Sequence, residues 1–455
     1  MRRDRDTNAV APRPAKRGVR TRGRGPSVLA HRIAVHRTPV RRRGLLSRLG
    51  PGLITGASDD DPSGIATYSQ SGAQFGFAMC WVMLFTFPLM AAIQEISARI
   101  GRVTGLGIAG NLRIHYPAWL LRVIVALLLV ANLINLAADL GAMGDAFALL
   151  VGGPSRLWVV AFALLCAWLE VFSRYERYVS LLKWTSLSLL AYVATALAVE
   201  VPWREVAWST LVPSFSLQED YVVAIVAVLG TTITPYCFFW QSSQEAEDER
   251  VDPRAHPLLQ APEQAPAELS RMRFDTVVGM GYSNLIGLFI IVTTGATLHV
   301  QGITDIQTSA QAAEALRPIA GPFTFVVFAA GVIGIGMLAV PVLAGSCAYA
   351  LGEALGWPTG LGRTPLDARA FYATIAVATL LGIGGNFVGL DPIKALFWAA
   401  VVNGVVAVPL MAMMMVMANA PAIMGRFVLP PVLRAMGWLC TAVMAVAVAI
   451  MLAQW

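Results

Sequence analysis

Long, uninterrupted apolar runs constrain this chain more than any other feature. They include Phe77 to Ile93, Val123 to Ala138, Leu187 to Val199, Phe323 to Ala350 and Leu439 to Ala453. A helix needs roughly 20 mostly apolar residues to cross the hydrocarbon core of a bilayer. The runs are continuous rather than alternating, which selects membrane helices over barrel strands. Charge agrees: only 13% of the 455 residues are charged and 56% are hydrophobic, whereas soluble domains carry about 25% charged residues. That excludes a soluble globular domain. The fold class is an all-α membrane protein in the lipid bilayer.

Eleven crossings are expected. The first covers 49–75 and is interrupted at 59–63. The others lie near 77–98, 118–140, 157–172, 178–199, 221–243, 274–298, 322–350, 370–387, 391–418 and 434–454. Basic residues alternate between the loops. Arg99, Arg102 and Arg113, then Arg174, Arg177 and Lys183, then Arg250, Arg254, Arg271 and Arg273, then Arg363 and Arg369, then Arg426 and Arg434 fall on one side. The opposite loops carry only Arg156, Arg204, Arg317 and Lys394. The positive-inside rule then puts the N-terminus in the cytoplasm and Trp455 outside, with the inner (plasma) membrane as the expected location.

Residues 1–48 supply most of the net charge of +7 and are rich in Arg, Gly and Pro. They read as a disordered cytoplasmic tail with no apolar signal region. Such a tail also suits anionic lipid or nucleic acid; a solvated tail that fixes orientation is the plainer reading, and no nucleic-acid partner is expected. Residues 244–273, with Glu245, Glu247, Asp248 and Glu249, read as a flexible cytoplasmic loop. The five cysteines all lie inside apolar runs without a CxxC pair. They read as small buried hydrophobes rather than disulfides or a zinc site.

Two crossings carry breaks. The first contains TGASDDDPSG, with three consecutive aspartates. An ionised Asp at the centre of a membrane helix costs about 2.5–3.5 kcal/mol. Pro62 lacks an N–H and clashes with the preceding turn, and Ser63 and Gly64 loosen the chain further. The helix should unwind there and free carbonyls beside a carboxylate, an arrangement suited to a cation. The aspartates also suit a surface position capping a helix that starts at Pro62; that reading has weight for Asp59 and Asp60 and less for Asp61, because apolar sequence continues on both sides. The sixth crossing contains LGTTITPYCFFW, with a proline after Thr234. Crossings 1 and 6 hold the same place in two five-helix halves, 49–199 and 221–418, with 434–454 as an extra helix. Paired interruptions of this kind mark transporters built from inverted repeats.

At these residues the chain resembles the Nramp family of divalent metal transporters, from about Gly50 to Trp455. The frame GPGLITGASDDDPSG is similar to the family's Asp-Pro-Gly-Asn signature, matched by Asp61 and Pro62. QEISARIGRVTGLGI (94–108) and NLAADLGAMGDA (135–146) resemble the family's segment after helix 2 and its third helix. The helix-6 pattern Gly-Ala-Thr-Val-Met-Pro-His falls on Gly230 to Tyr236. The resemblance implies a LeuT-type fold, a 5+5 inverted repeat plus an eleventh helix, and import of a divalent metal, usually with protons. The departures are as informative. The signature Asn is replaced by Gly64, or by Ser63 if the loop is read one residue differently. The metal-binding Met becomes Thr234, the following His Tyr236, a second helix-6 His Gln241, and the acidic partner of Asp139 becomes Ala142.

The candidate metal ligands are therefore Asp61, the Thr234 hydroxyl and carbonyls near Ser58 and Thr231, with Asp60 and Gly64 beside them. Carboxylate, hydroxyl and carbonyl oxygens favour Mg²⁺ or Mn²⁺, while a thioether favours softer ions. A hard, more hydrated divalent ion is the expected substrate. Asp139 is the candidate for a proton path, set against a buried structural hydrogen bond. Tyr236, with a pKa near 10 in place of a titrating His, makes proton coupling through helix 6 less favoured. Asn403 on helix 10 could face the site, though an interhelical hydrogen bond is the plainer role. No enzyme activity or resident cofactor is expected: HExxH is absent, and no second Asp-rich helix exists for a Mg²⁺-pyrophosphate site. The competing readings are a LeuT-type symporter of an organic solute, whose carboxylate three aspartates would repel, and a membrane metal sensor that does not transport.

Overall fold

The computed structural model describes residues 51–172, 189–387 and 391–455. All belong to one compact unit, Gly44–Trp455. The basic tail at 1–48 and the first half of the expected fifth crossing, 178–188, lie outside the described residues. Among the described residues there is no strand.

The first expected crossing is two half-helices, α1 (Pro51–Asp59) and α2 (Pro62–Phe75), with only Asp60 and Asp61 between them. Then come α3 (Cys80–Thr104), a short α4 (Ile108–His115), α5 (Ala118–Val151), α6 (Ser155–Phe172), α7 (Leu190–Ala198) and α8 (Trp203–Leu211). The sixth expected crossing is again two halves, α9 (Glu219–Thr232) and α10 (Pro235–Val251), separated by Ile233 and Thr234. The remaining helices longer than two turns are α11 (Ala265–Thr294), α12 (Thr324–Leu355), α13 (Arg369–Gly385), α14 (Pro392–Ala418) and α15 (Pro431–Gln454). Seven helical stretches among the described residues are long and apolar enough to span a membrane. The two halves of the first crossing are too short to span one alone.

Small residues bring the broken helices against their neighbours. Gly52 and Gly56, four apart, share one face of α1. A Cβ on Gly56 would sit 2.2 Å from the Gly279 carbonyl carbon of α11, and one on Gly52 would sit 2.7 Å from the Thr276 nitrogen. The Gly52 N–H donates to Asp275 Oδ2 at 2.8 Å. In the second half, a Cβ on Gly230 of α9 would meet the Ala400 carbonyl oxygen of α14 at 2.0 Å. Backbones approach this closely in membranes only through such positions.

The acidic stretch after the second break corrects the reading of 244–273 as a flexible loop. α10 continues to Val251 and α11 starts at Ala265, after a 3₁₀ turn at Pro262–Gln264. Glu245, Glu247 and Glu249 are buried. Arg102 of α3 pairs with Glu249 at 3.5 Å and with Glu268 at 3.4 Å, and Arg271 pairs with Glu245 at 2.7 Å. Glu247 accepts from the Gly362 N–H at 2.7 Å and from the Tyr349 hydroxyl. Composition marked the cluster as solvated, but its partners come from other helices. Arg99 and Arg102 likewise sit inside the last turns of α3 rather than in a loop. Glu95 pairs with Arg99 at 3.8 Å and with Arg273 at 3.2 Å. Glu170 is buried, and its Oε1 has no hydrogen-bond partner among the described residues.

Candidate metal centre at the two helix breaks

Local chemistry ends α1 and starts α2 at the aspartates. Asp61 is extended (φ −62°, ψ 172°) and is the N-cap of α2, with Pro62 in its first turn. Its Oδ1 accepts from the Gly64 N–H at 2.8 Å and from the Ser63 hydroxyl at 2.6 Å. This satisfies a donor that a helix start leaves unpaired. The positive end of the α2 dipole also favours a carboxylate there.

The second break has the same proline signal but a different cap. Thr234 is extended (φ −86°, ψ 129°), precedes Pro235 and makes no side-chain cap. Its hydroxyl reaches across to the first break and donates to Asp59 Oδ1 at 2.9 Å. Two residues on, the Tyr236 hydroxyl lies 2.7 Å from the Ser58 carbonyl oxygen and 3.2 Å from Asp61 Oδ2. Ser58 is in the last turn of α1, where carbonyls lose their intrahelical partners. One tyrosine thus ties the carbonyl end of α1 to the capping carboxylate of α2. The Tyr236 carbonyl accepts from Ser346 of α12 at 3.2 Å.

The surface position open to Asp59 and Asp60 is not the one they take. Asp59 and Asp60 are 1% exposed and Asp61 is 0%. The reason is tertiary: α11 covers them. Ser283 Oγ lies 3.1 Å from Asp59 Oδ2 and 3.0 Å from Asp60 Oδ1. Asp60 Oδ2 has no hydrogen-bond partner. Thr231 is buried with its hydroxyl unpartnered, and a Cβ on Gly64 would lie 3.2 Å from that oxygen. Asp139 of α5 is fully buried, and neither carboxylate oxygen is hydrogen-bonded; it lies within electrostatic range of Asp61 and the Ser63 N–H. Asn403 takes the interhelical role, accepting from Asn135 Nδ2 at 2.8 Å, one turn before Asp139.

Most sequence-derived candidates therefore converge. Asp61, Ser58 and Gly64 meet directly or through Tyr236, Thr231 faces Gly64, and Thr234 and Asp60 join through Asp59 and Ser283. Sequence reasoning missed Asp59, Tyr236 and Ser283 as members of the centre. A signal for Ser283 existed: it lies midway between Gly279 and Gly287 at four-residue spacing, a small-residue face on α11. Cys237 also needs correction as a plain hydrophobe, because its Sγ is 3.8 Å from Asp59 Oδ1 as a weak donor. Among the described residues no three His, Cys, Asp or Glu side chains converge as a closed cage. A cation here would take a mixed shell of carboxylate, carbonyl and hydroxyl oxygens. None of Asp59, Asp60, Asp61 or Asp139 is ion-paired among the described residues.

Two half-helix pairs, broken at matching places and facing each other across a buried polar centre, define a LeuT-type membrane transporter. Solved structures agree on the fold. The Eremococcus coleocola manganese transporter superposes with a TM-score of 0.69 at 17% identity, covering 90% of this chain and 88% of that one. MhsT in complex with L-phenylalanine superposes at 0.57 and 13% identity, covering 90% and 99%. The family model described as natural resistance-associated macrophage protein-like matches residues 52–454, and the chain belongs to that family. It is a multi-pass integral membrane protein. Curated relatives named divalent metal cation transporter MntH include one from Klebsiella pneumoniae, 25% identical over 88% of this chain and 92% of its own length. Another, from Acidiphilium cryptum, is 26% identical over 80% and 81%.

Proposed function

We propose that this protein is a secondary transporter of divalent metal cations that favours hard ions, Mg²⁺ or Mn²⁺, and binds them between the two breaks. One observation carries the reading: four buried carboxylates and the carbonyl end of α1 gather, and among the described residues no basic side chain pairs with them. Burying unpaired carboxylates is strongly unfavourable, and a divalent ion supplies the missing positive charge. Membership in a family whose curated relatives are named divalent metal cation transporters supports the same substrate class.

Asp61, the Ser58 carbonyl, the Thr231 carbonyl at the end of α9 and the Thr234 hydroxyl would hold the ion, with Asp60 and the Gly64 turn beside them. Hydroxyl and carbonyl oxygens in place of a thioether favour hard ions. Binding would require Tyr236 to release either Ser58 or Asp61, because its hydroxyl now spans them. The centre is closed to solvent at Asp59, Asp61, Thr234 and Tyr236, so passage needs the half-helices to move. Asp139, buried without hydrogen bonds among the described residues, would be the acid that accepts a co-transported proton. The alternation of basic loops supports a cytoplasmic N-terminus, an external C-terminus and an inner-membrane location.

Uptake into proteoliposomes tests the reading. Mg²⁺ and Mn²⁺ should accumulate down an imposed gradient, and Fe²⁺ and Cd²⁺ should compete weakly. Strong Fe²⁺ or Cd²⁺ uptake without a Mg²⁺ or Mn²⁺ response would refute the selectivity. Metal binding without uptake of any divalent ion would indicate a sensor.

A further inference from the structure

Asp61 has donors on both carboxylate oxygens, whereas Asp59 Oδ2 and Asp60 Oδ1 share one. Ser283 has a single hydroxyl proton, yet its oxygen lies within hydrogen-bond distance of both Asp59 Oδ2 and Asp60 Oδ1. It can donate to only one of them at a time. Asp60 has no other hydrogen bond among the described residues, and its Oδ2 is buried without a partner.

A second, independent group points into the same space. Tyr68 of α2 is 0% exposed and its hydroxyl has no hydrogen-bond partner. Helical side chains lean toward the N-terminus, so the phenol reaches back from Tyr68 toward the aspartates. A Cβ on Gly64 would lie 3.5 Å from Tyr68 Cε2. A Cβ on Gly287, one turn from Ser283, would lie 2.9 Å from Tyr68 Cζ. The hydroxyl end of the phenol therefore packs on the α11 face that carries Ser283, within electrostatic range of Asp60.

We propose that Asp59 and Asp60, with the Ser283 and Tyr68 hydroxyls, form a second subsite for a hard divalent cation, beside the one built on Asp61. The inference rests on reading the centre as a metal site. Charge supports a further cation: with Asp139 taken by a proton, a single divalent ion still leaves one of the three carboxylates Asp59, Asp60 and Asp61 without a counter-charge. The donors are all oxygen, which suits the same class of ion as the first subsite.

Mn²⁺ binding to the purified full-length protein in nanodiscs, counted by equilibrium titration and electron paramagnetic resonance, tests this. The wild type should bind two Mn²⁺ per chain, with spectral broadening from their proximity. Asp60→Asn and Ser283→Ala should each bind one, with at least tenfold weaker occupancy of the second and no broadening. Ser283→Ala removes only a hydroxyl and decides the matter if Asp60→Asn fails to fold, as judged by gel filtration and thermal unfolding. One Mn²⁺ in the wild type with metal uptake intact overturns the second subsite and leaves the transport reading standing. Two Mn²⁺ with broadening in both variants also overturns it. No bound Mn²⁺ together with no uptake of any divalent ion overturns both.

Discussion

Asp61 and Thr234 hold equivalent positions in the two broken helices, and they do opposite things. Each is extended, each precedes a proline, and each begins a half-helix. Asp61 turns its carboxylate inward on its own helix and caps it. Thr234 leaves its helix uncapped and gives its hydroxyl to Asp59 of the other break. The first break supplies its own cap, whereas the second has none and sends the hydroxyls of Thr234 and Tyr236 across to the first. A proline signal fixes where a helix stops, but the residue before it decides whether the freed polar groups serve the helix or the centre between helices.

Substitutions at the two breaks should therefore differ in size and kind. Asp61→Ala removes both the cap and the acidic ligand. Uptake should fall to the level of empty liposomes and metal affinity by on the order of 100-fold, near 3 kcal/mol. Unchanged affinity by calorimetry would show that the ion does not bind at the first break. Thr234→Met returns a thioether to the second break and withdraws the donor from Asp59. Competition assays should show Cd²⁺ gaining about tenfold over Mg²⁺, as soft-ligand preference requires; an unaltered ratio would mean that Thr234 does not face the ion.

Tyr236→Phe cuts the tie between the Ser58 carbonyl and Asp61. A lost buried hydrogen bond costs about 1 kcal/mol, so the apo protein should unfold at a slightly lower temperature. The Tyr hydroxyl must leave before an ion can enter, so metal affinity should hold or improve in the same variant. A clear loss of affinity would make Tyr236 a ligand instead of a clamp. Cys237→Ser is the mildest change. It replaces a weak donor to Asp59 with a stronger one of similar size, and Mg²⁺ affinity should stay within about twofold. A large fall in Cd²⁺ inhibition in that variant would reveal the thiol as a soft ligand despite the exchange of the thioether for Thr234.

Much of the architecture was legible because it rests on local chemistry. Apolar runs specify helices, and Pro62 and Pro235 stop them within a residue or two of where they end. The loop reading at 244–251 failed for the converse reason. Glu245 and Glu249 are polar by type, and nothing near them in sequence announces that Arg271 and Arg102 will close on them. Asp59 was discounted on the same basis, as a surface cap, because its partners Thr234 and Ser283 are 175 and 224 residues away.

The sequence by itself determined the membrane class, the places of the two breaks and the family, since each follows from residue type and short-range spacing. Only the tertiary structure decided what the freed groups do. It turned Thr234 toward Asp59, set Tyr236 between Ser58 and Asp61, and laid Ser283 over two carboxylates. Those choices depend on which helices α1 and α9 can approach. That approach is governed by glycine contacts such as Gly56 on Gly279 and Gly230 on Ala400, whose partners lie far along the chain.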